Sequence, residues 1–288
     1  MAPPRPRHTD DMKTSVIIVN YRTALLTVDA VNSALEEPEA AEIIVVDNGS
    51  DDGSIELLSK LFNKDDRVRF VRSHENLGFG RANNLGVRVA TEEFVFLLNS
   101  DATFIPGCLE ALAVQWNQLS SPGVLAPAVL RADSDELQAD AHGRFPTARS
   151  TLRLTTRCTE DASLEPDWVS GCAMLLGRED FLGVGGFDDD IFMYFEDVLL
   201  CWKLRAKGLQ AHRHLGGSVR HLGGGSNHAR FHRNRAYDHA QDLMLKKLSQ
   251  PLAGRMLVKL VRAPYRWSGS TRLPSSPKSD VKEPAHDY

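Results

Sequence analysis

Paired cysteines, long apolar runs and an excess of basic residues are all missing from this sequence of 288 residues. The four cysteines are scattered without a CxxC pair, which argues against a zinc ribbon or a disulfide framework and is typical of a reducing cytosol. No apolar run approaches the roughly 20 residues that span a bilayer. Since the formal net charge is -4, we expect no nucleic-acid partner.

The two ends of the chain are predicted to be disordered. Residues 1–13 are polar and rich in proline, and they lack the apolar segment of a signal peptide. Residues 268–288 also have the composition of a disordered tail. The sequence between them is long enough to bury a full hydrophobic core.

Strands and helices are predicted to alternate along the first half of the chain, an order typical of a parallel sheet with helices on both faces. The predicted strands are 15–20, 42–46, 67–71 and 94–98. The predicted helices are 23–35, 54–62, 80–90 and 106–119, the last with Pro106 in its first turn, and further along 196–207, which ends at Gly208. The stretch 131–166 is predicted to form loops over the site.

Two of the buried strands end in a carboxylate. The apolar run Phe94–Leu98 leads into Asn99-Ser100-Asp101, and the run Ile43–Val46 leads into Asp47. Ligands of open α/β sheets bind beyond the carboxyl ends of such strands. The pattern therefore suggests a site for a metal and a polar, phosphorylated ligand, the alternative being that each Asp only caps the helix that follows.

Several tracts, in their order and spacing, carry a resemblance to a known family. They are Val16–Tyr21, Val46–Ser54, Asn76–Asn84, Leu98–Asp101, Trp168–Leu175, Gly185–Asp188 and Tyr194–Asp197. The sequence resembles an inverting glycosyltransferase of family 2, in its rhamnosyltransferase-like branch. The resemblance implies a GT-A fold, which is a Rossmann-like α/β/α sandwich with a mainly parallel central sheet, followed here by C-terminal helices.

The resemblance also suggests how the chain is organised between its disordered ends. Residues 14–130 would form the nucleotide-sugar-binding half, and residues 131–240 the acceptor-binding and catalytic half of the same domain. The composition of residues 241–267, and not the resemblance, predicts a basic amphipathic helical segment.

Donor-binding roles are implied for ten residues of the first half. Asp47 resembles the family residue that accepts the ring N–H of uracil or thymine. Asn99 would lie near the ribose, the alternative being a local turn-former. Backbone N–H groups and a guanidinium in the loop that enters the third helix suit phosphate and nucleoside contacts. The ten residues are Val19, Asn20, Tyr21, Asp47, Asn76, Gly78, Arg81, Asn83, Asn99 and Ser100.

Asp101 and His221 are the predicted metal ligands. The tract that ends in Asp101 occupies the place of the family's DxD motif, with an amide instead of the first carboxylate. His221 matches a family position that can supply a further ligand. The ion would be Mg²⁺ or Mn²⁺ and would act as a Lewis acid on the departing nucleotide diphosphate. The spacing of the other histidines does not fit a structural zinc site, and we expect them at the surface.

Glu196 and Asp197 are the predicted catalytic pair. Inverting transfer needs one carboxylate to take the proton of the acceptor hydroxyl, and the resemblance favours Asp197. The alternative is that both only favour the helix N-terminus electrostatically. The sequence departs from the branch at Leu199, where another acidic residue is usual. Acceptor contacts are implied for Trp168, Ser170 and Gly171.

The stretch from Leu243 to Trp267 contains six Lys and Arg residues and no acidic residue. Interleaved apolar and aromatic side chains suit an anionic membrane surface, the alternative being a helix packed on the sheet with a solvated basic face. We therefore expect a cytoplasmic protein whose contact with the inner face of the cell membrane is at most peripheral.

The expected function is inverting transfer of a sugar from a nucleotide-diphosphate donor. The branch resemblance suggests dTDP-rhamnose as donor and a polyprenyl-diphosphate-linked sugar or cell-envelope glycan as acceptor. One alternative is another UDP- or dTDP-hexose and a small-molecule acceptor. A nucleotidyltransferase would need a glycine- and lysine-rich triphosphate loop near the N-terminus, which is absent. An inactive binding module is the third alternative, if Leu199 marks lost catalysis.

Overall fold

The computed structural model of the chain describes residues 12–138, 141–147, 165–223 and 230–248. The strands in these ranges are β1 (Thr14–Asn20), β2 (Ala40–Asp47), β3 (Val68–Arg72), β4 (Phe94–Asn99), β5 (Ala102–Phe104), β6 (Pro122–Arg131), β7 (His142–Gly143), β8 (Trp168–Val169), β9 (Ala173–Gly177) and β10 (Gln210–His221). The helices are α1 (Ala24–Leu35), α2 (Ser54–Phe62), α3 (Phe79–Val89), α4 (Cys108–Trp116), α5 (Arg178–Gly183), α6 (Glu196–Ala206) and α7 (Arg230–Lys247).

Eight of these strands form one sheet, in the order β3-β2-β1-β4-β9-β6-β10-β5. The pairs formed by β3, β2, β1 and β4 are parallel, as is the pair of β6 and β10. Strand β9 is antiparallel to both of its neighbours, and β5 is antiparallel to β10. The predicted α/β architecture with a mainly parallel central sheet is confirmed.

The two faces of the sheet are covered by separate hydrophobic clusters. Along β1, the side chains of Val16 and Ile18 belong to the cluster that contains residues of α1 and α4, while Ile17 belongs to the cluster of α3 and α6. Successive side chains of a strand point to opposite faces, so both faces of β1 are buried. This double burial explains the continuous apolar runs from which the strands were predicted.

The strand register brings the polar strand ends to one edge of the sheet. Asn20 lies opposite Asp47 in the β1–β2 pair, and Val19 lies opposite Asn99 in the β1–β4 pair. Asp47 in turn lies opposite Arg72 at the end of β3. Four parallel strands, β3, β2, β1 and β4, therefore end side by side in polar residues.

A third hydrophobic cluster joins α7 to the start of α6. Leu199, which is 1% exposed, packs there with Met244 and Leu245 of α7, which are 0% and 1% exposed. Leu199, where the sequence departs from the branch, therefore lies in an apolar contact. A carboxylate at this position would be buried against α7, which is unfavourable. Helix α7 runs across residues 240 and 241, where the acceptor-binding half was predicted to meet the basic segment.

Several other predictions need correction. The helix predicted at 106–119 begins at Cys108, because Gly107 adopts a left-handed conformation (φ 82°) and Pro106 lies before it. Strands β5, β6 and β10 were not predicted. The predictions for residues 1–11 and 249–288 lie outside the described residues. Within the described part of the chain, no helix combines the length and apolar character needed to cross a membrane.

Candidate functional site

A buried hydrogen-bond network joins the ends of β1 and β2. Asn20 Nδ2 donates to Asp47 Oδ1 at 2.9 Å and to Ser50 Oγ at 3.2 Å. The Ser50 backbone N–H donates to Asp47 Oδ2 at 3.2 Å. Asn20 and Asp47 both have an exposed fraction of 0%. Asp47 therefore ties the strand ends together, and a nucleobase would reach its carboxylate only if neighbouring side chains moved aside.

The same network extends to the end of β4. Thr23 Oγ1 donates to Ser100 Oγ at 3.0 Å, and Thr27 Oγ1 donates to Asn20 Oδ1 at 3.0 Å. Val19 and Tyr21 flank this network and are half-buried. The predicted donor residues of β1, β2 and β4 are thus brought together at one edge of the sheet.

The loop that enters α3 is held to the segment that follows β2. Asn48 Nδ2 donates to Asn76 Oδ1 at 2.9 Å, and the Leu77 N–H donates to Asn48 Oδ1 at 2.9 Å. Gly78 adopts a left-handed φ of 82°, and a Cβ there would lie 2.2 Å from the carbonyl oxygen of Phe192. Only glycine allows this close approach between the loop and the segment that precedes α6.

Two of the predicted donor residues on α3 differ in accessibility. Arg81 is exposed, whereas Asn83 is 2% exposed and donates from Nδ2 to the carbonyl oxygen of Phe79 at 3.0 Å. The Phe79 N–H, at the first turn of the helix, donates to Phe192 O at 3.0 Å. Arg81 is therefore the available side chain, while Asn83 and the Phe79 N–H are engaged within the protein.

The two predicted metal ligands meet at the end of the sheet. Asp101 Oδ1 lies 3.2 Å from His221 Nε2, and both side chains are 10% exposed. The antiparallel pairing of β5 with β10 causes this proximity, because His221 lies opposite Ala102 and the Leu222 N–H donates to Asp101 O at 3.0 Å. Asn99 Nδ2 lies 3.3 Å from the same imidazole nitrogen.

A carboxylate oxygen and an imidazole nitrogen at this separation fit a shared hard cation. Asp and His are both common ligands, and Mg²⁺ or Mn²⁺ also accepts phosphate oxygens and water. Among the described residues, no group of three or more His, Cys, Asp or Glu side chains is placed to hold a metal ion. A cation held by Asp101 and His221 would therefore take its other ligands from a bound phosphorylated molecule and from water.

Glu196 and Asp197 begin α6 beside the turn that precedes β9. The Gly171 N–H donates to Asp197 Oδ2 at 3.1 Å, and the Val198 N–H donates to Asp197 Oδ1 at 2.8 Å. Asp197 keeps part of its surface exposed. Glu196 is 6% exposed, and its buried Oε2 has no hydrogen-bond partner among the described residues.

Burial separates the protonation behaviour of the two acids. Desolvation, followed by the charge of Asp197, raises the pKa of Glu196 far above its ordinary range. Desolvation also raises the pKa of Asp197, opposed by the N–H groups of Gly171 and Val198. Glu196 is therefore the acid that retains its proton at neutral pH, and Asp197 is the partly exposed group that two N–H donors stabilise as a carboxylate.

The predicted acceptor residues line the same turn. The Trp168 Nε1–H donates to Arg144 O at 3.0 Å, and the Ser170 Oγ accepts from the Cys172 N–H at 3.3 Å. A Cβ at Gly171 would lie 2.9 Å from the Phe79 ring. Trp168 and Ser170 thus use polar atoms within the protein, and Gly171 permits close packing beside Asp197.

Sequence reasoning missed two features of this site. Tyr194 and Phe195, directly before Glu196, have left-handed φ angles of 74° and 65°, and the ring of Tyr237 from α7 lies 5.5 Å and 4.9 Å from their rings. Gln138 Oε1 lies 2.9 Å from His221 Nδ1. No motif marks Tyr237 or Gln138, because each acts through a contact between distant parts of the chain.

Comparison with solved structures identifies the fold. The mannosyltransferase PcManGT from Pyrobaculum calidifontis, in complex with GDP-Man and Mn²⁺, matches with a TM-score of 0.60, covering 86% of this chain and 68% of that one. At 17% identity this match shows the fold alone. The implied GT-A fold is confirmed.

Curated relatives were also found by sequence. The low-salt glycan biosynthesis hexosyltransferase of Haloferax volcanii is 26% identical over 69% of this chain and 63% of its own length. The N-acetylglucosaminyl-diphospho-decaprenol L-rhamnosyltransferase of Mycobacterium tuberculosis is 27% identical over 61% of this chain and 64% of its own length. The chain thus spans somewhat less than two thirds of the length of these relatives.

The family model for glycosyl transferase family 2 matches residues 15–199, which is more than half of the chain. This range contains the polar strand ends, Asp101 and the pair Glu196 and Asp197. The implied family membership is confirmed, and the chain belongs to glycosyl transferase family 2.

Proposed function

We propose that this chain transfers a hexose, with inversion and with the help of a divalent cation, from a nucleotide-diphosphate sugar to a hydroxyl of a glycan or lipid-linked sugar. One observation supports this most directly. The Gly171 N–H donates to Asp197 at 3.1 Å, and the Cys172 carbonyl accepts from the Asn99 N–H at 2.9 Å. The consecutive residues Gly171 and Cys172 thus connect Asp197, through backbone hydrogen bonds, to the end of β4, which leads to Asp101.

Asp197 is the proposed general base. It takes the proton of the acceptor hydroxyl while that oxygen forms a bond to the anomeric carbon, and the bond to the nucleotide diphosphate breaks on the opposite side. Glu196, neutral and buried behind it, keeps a second negative charge away from the base. Asp101 and His221 would hold a cation that supplies Lewis-acid stabilisation of the leaving diphosphate.

L-rhamnose from dTDP-rhamnose is the proposed sugar, and a polyprenyl-diphosphate-linked sugar or cell-envelope glycan is the proposed acceptor. The mycobacterial L-rhamnosyltransferase among the relatives supports this choice. The ring N–H of a pyrimidine base would donate to the Asp47 carboxylate after a local rearrangement, since that carboxylate is buried. The second candidate is another UDP- or dTDP-hexose transferred to a small-molecule acceptor.

Thermal unfolding with a panel of sugar nucleotides tests the donor. A ligand present at 100 times its Kd stabilises the folded protein by about 2.7 kcal/mol, so the shift in Tm ranks the donors. We expect dTDP-rhamnose with Mn²⁺ to give the largest shift, and a smaller shift without the metal. Equal shifts with GDP-sugars would contradict pyrimidine recognition. Larger shifts with free nucleoside triphosphates would favour a nucleotidyltransferase instead.

Tyr237 is expected to support the strained turn before the catalytic acids. Left-handed conformations at two successive non-glycine residues are unfavourable, and they persist only when surrounding contacts hold them. The change Tyr237→Ala removes the ring that contacts Tyr194 and Phe195, so we expect turnover to fall by about tenfold to a hundredfold as Asp197 is displaced. Steady-state kinetics at saturating donor measures this loss.

The matched control for this prediction is Tyr237→Phe, which keeps the ring and should retain turnover within about threefold. Donor affinity should change little in either variant. If Tyr237→Ala keeps full turnover, the turn does not depend on α7.

The part of the basic segment that follows α7, residues 249–267, is proposed to attach the enzyme to anionic membrane. A cut after Gln241 would remove Met244, Leu245 and the Lys247 Nζ contact to Asp188 Oδ1 at 3.0 Å, so the cut belongs after Leu248. Each Lys or Arg near anionic lipid contributes about 1 kcal/mol. We therefore expect removal of residues 249–288 to weaken binding to phosphatidylserine-containing vesicles and to lower activity on lipid-linked acceptors.

Removal of residues 268–288 alone is the control, because it leaves the basic segment in place. Binding of the full chain should also weaken as salt rises, since the Debye length is about 8 Å at physiological ionic strength. Activity on a short soluble acceptor should be nearly unchanged. Equal losses on soluble and lipid-linked acceptors would exclude the membrane role.

A further inference from the structure

We propose that Gln138 is a positioning residue that fixes the imidazole of His221 with Nδ1 protonated and with the lone pair of Nε2 directed at the cation site beside Asp101. The inference rests on the proposed metal-dependent transfer and deepens it. It assigns a role at the sheet edge to a residue of the stretch between β6 and β7, which carries no recognisable motif.

The contact at Nδ1 determines the form of the ring. Gln138 Oε1 lies 2.9 Å from His221 Nδ1, and a carbonyl oxygen can only accept a hydrogen bond. In the proposed arrangement the imidazole proton lies on Nδ1 and Nε2 keeps its lone pair, a form that also suits the Asn99 amide Nδ2 at 3.3 Å from Nε2. Since Nε2 lies 3.2 Å from Asp101 Oδ1, this form presents two electron-pair donors to one point. The other form would place a proton there.

Both partners of this contact are fixed by their backbones. The Gln138 N–H donates to Val129 O at 2.8 Å, and its carbonyl accepts from the Ala141 N–H at 3.3 Å. His221 ends β10, where it pairs with Ala102 on one side and Arg131 on the other. Because Val129 and Arg131 belong to the same strand, β6 sets the distance between the glutamine and the histidine.

The position of His221 makes such a constraint useful. Its side chain is only 10% exposed, and Asn99 Nδ2 also lies 3.3 Å from Nε2. Without an acceptor at Nδ1, the ring gains by moving its proton to Nε2, where the carboxylate of Asp101 accepts it. A hydrogen bond to the distal nitrogen of a metal-binding histidine commonly sets its tautomer and its affinity for the ion. Gln138 is the residue that provides this bond here.

The tautomer is measured directly in the metal-free protein. Long-range ¹H–¹⁵N NMR of the full chain with ¹⁵N-labelled histidine distinguishes a protonated Nδ1 from a protonated Nε2, and His221→Ala identifies the signal. We expect wild-type His221 to be protonated at Nδ1. In Gln138→Leu the signal should move toward the Nε2-protonated form. In Gln138→Glu, which keeps an acceptor, the wild-type form should be retained.

Metal affinity provides the second measurement. EPR titration with Mn²⁺, alone and with dTDP, should show binding weakened by about tenfold to a hundredfold in Gln138→Leu. Binding in Gln138→Glu should stay within about threefold of wild type. Gln118→Leu is the matched control, because Gln118 is exposed beyond α4, and it should leave both the tautomer and the affinity unchanged.

The outcomes separate this inference from the proposed function. A wild-type His221 protonated at Nε2, or a Gln138→Leu variant with an unchanged tautomer, would overturn the role of Gln138 even if the enzyme transfers sugars. A wild-type ring protonated at Nδ1 in a protein that does not bind Mn²⁺ would support the role of Gln138 in orienting the ring while refuting metal dependence. The wild-type spectrum and Gln138→Glu keep the test decisive if Gln138→Leu does not fold.

Discussion

Replacement of Asp197 by Asn is expected to abolish transfer while donor binding survives. The amide has nearly the same shape as the carboxylate but cannot take a proton from the acceptor hydroxyl. Loss of a positioned general base typically lowers the rate by about 10²- to 10⁴-fold. Turnover is measured with donor and acceptor at saturation, and donor affinity by calorimetry with Mn²⁺ present. The donor should bind within about threefold of wild type, because the donor residues lie on β1, β2, β4 and α3.

Glu196→Gln is the matched control for this prediction. Glu196 is 6% exposed and its pKa is raised by burial, so it already holds a proton at neutral pH and the amide mimics that form. We expect this variant to keep most of its turnover. A dead Glu196→Gln together with a nearly normal Asp197→Asn would mean that the roles of the two acids are reversed.

The pH dependence of turnover has a definite sign. Only the ionised form of Asp197 accepts a proton, and desolvation raises its pKa above the ordinary value for an aspartate. As the pH falls through this raised pKa, the carboxylate becomes protonated and turnover is lost. The acid limb of the rate profile should therefore lie at a higher pH than an exposed aspartate would give. An acid limb at or below the pH at which an exposed aspartate titrates would exclude Asp197 as the base.

The strands that could be predicted from the sequence are those buried on both faces of the sheet. Strands β1, β2 and β4 are continuous apolar runs because helices cover both faces of the sheet, and such runs are visible in any sequence. Strand β6 was missed because Pro122 and Pro127 argue against a strand interior. Pro127 is tolerated since it pairs with His214, where the register of β10 is interrupted before Ser218. Proline has no backbone N–H, and Pro127 lies where the hydrogen-bond ladder between β6 and β10 is interrupted.

Strand β10 was missed for a related reason. Its sequence contains three histidines and two glycines and lacks a regular apolar alternation. The surface position expected for the other histidines is also wrong for His212, which is 6% exposed. Desolvation in this position lowers the pKa of His212, so the ring is the neutral form in the core. Burial of a polar residue depends on contacts across the sheet that local sequence does not encode.

The candidate site divides in the same way. Asp47 and Asp101 follow the apolar runs of β2 and β4, so their position beyond the strand ends could be predicted from the sequence. Ligands of open α/β sheets bind at this edge, which marked both residues as candidates. The meeting of Asp101 with His221 depends on the antiparallel β5–β10 pair, which joins residues about 120 positions apart, and only the family resemblance pointed to it. The roles of Gln138 and Tyr237 could not be predicted, because a polar residue in a loop and a tyrosine in a helix belong to no sequence motif.

Replacement of Asp101 by Asn is the second change for which we expect a large effect. The carboxylate side chain lies beyond β4 with its Oδ1 3.2 Å from His221 Nε2, while the backbone contact of Asp101 to Leu222 is available to any residue. The amide is a weaker, neutral ligand, so a cation shared with His221 and with donor phosphates is held less tightly. Loss of about 3 kcal/mol of transition-state stabilisation corresponds to a rate about 100-fold lower.

Three measurements separate this effect from a loss of structure. Turnover should fall by about 100-fold or more, and donor affinity measured with Mn²⁺ should fall toward the value found without metal. The unfolding free energy should change by less than about 1 kcal/mol, since the carboxylate lies outside the hydrophobic clusters. Asp133→Asn, which alters an exposed carboxylate paired with Arg131 at 3.2 Å, is the control and should leave all three values unchanged. If Asp101→Asn binds the donor as tightly as wild type in the presence of Mn²⁺, the cation is not held by this residue. Weaker binding of a cation that contacts the donor would also weaken binding of the donor.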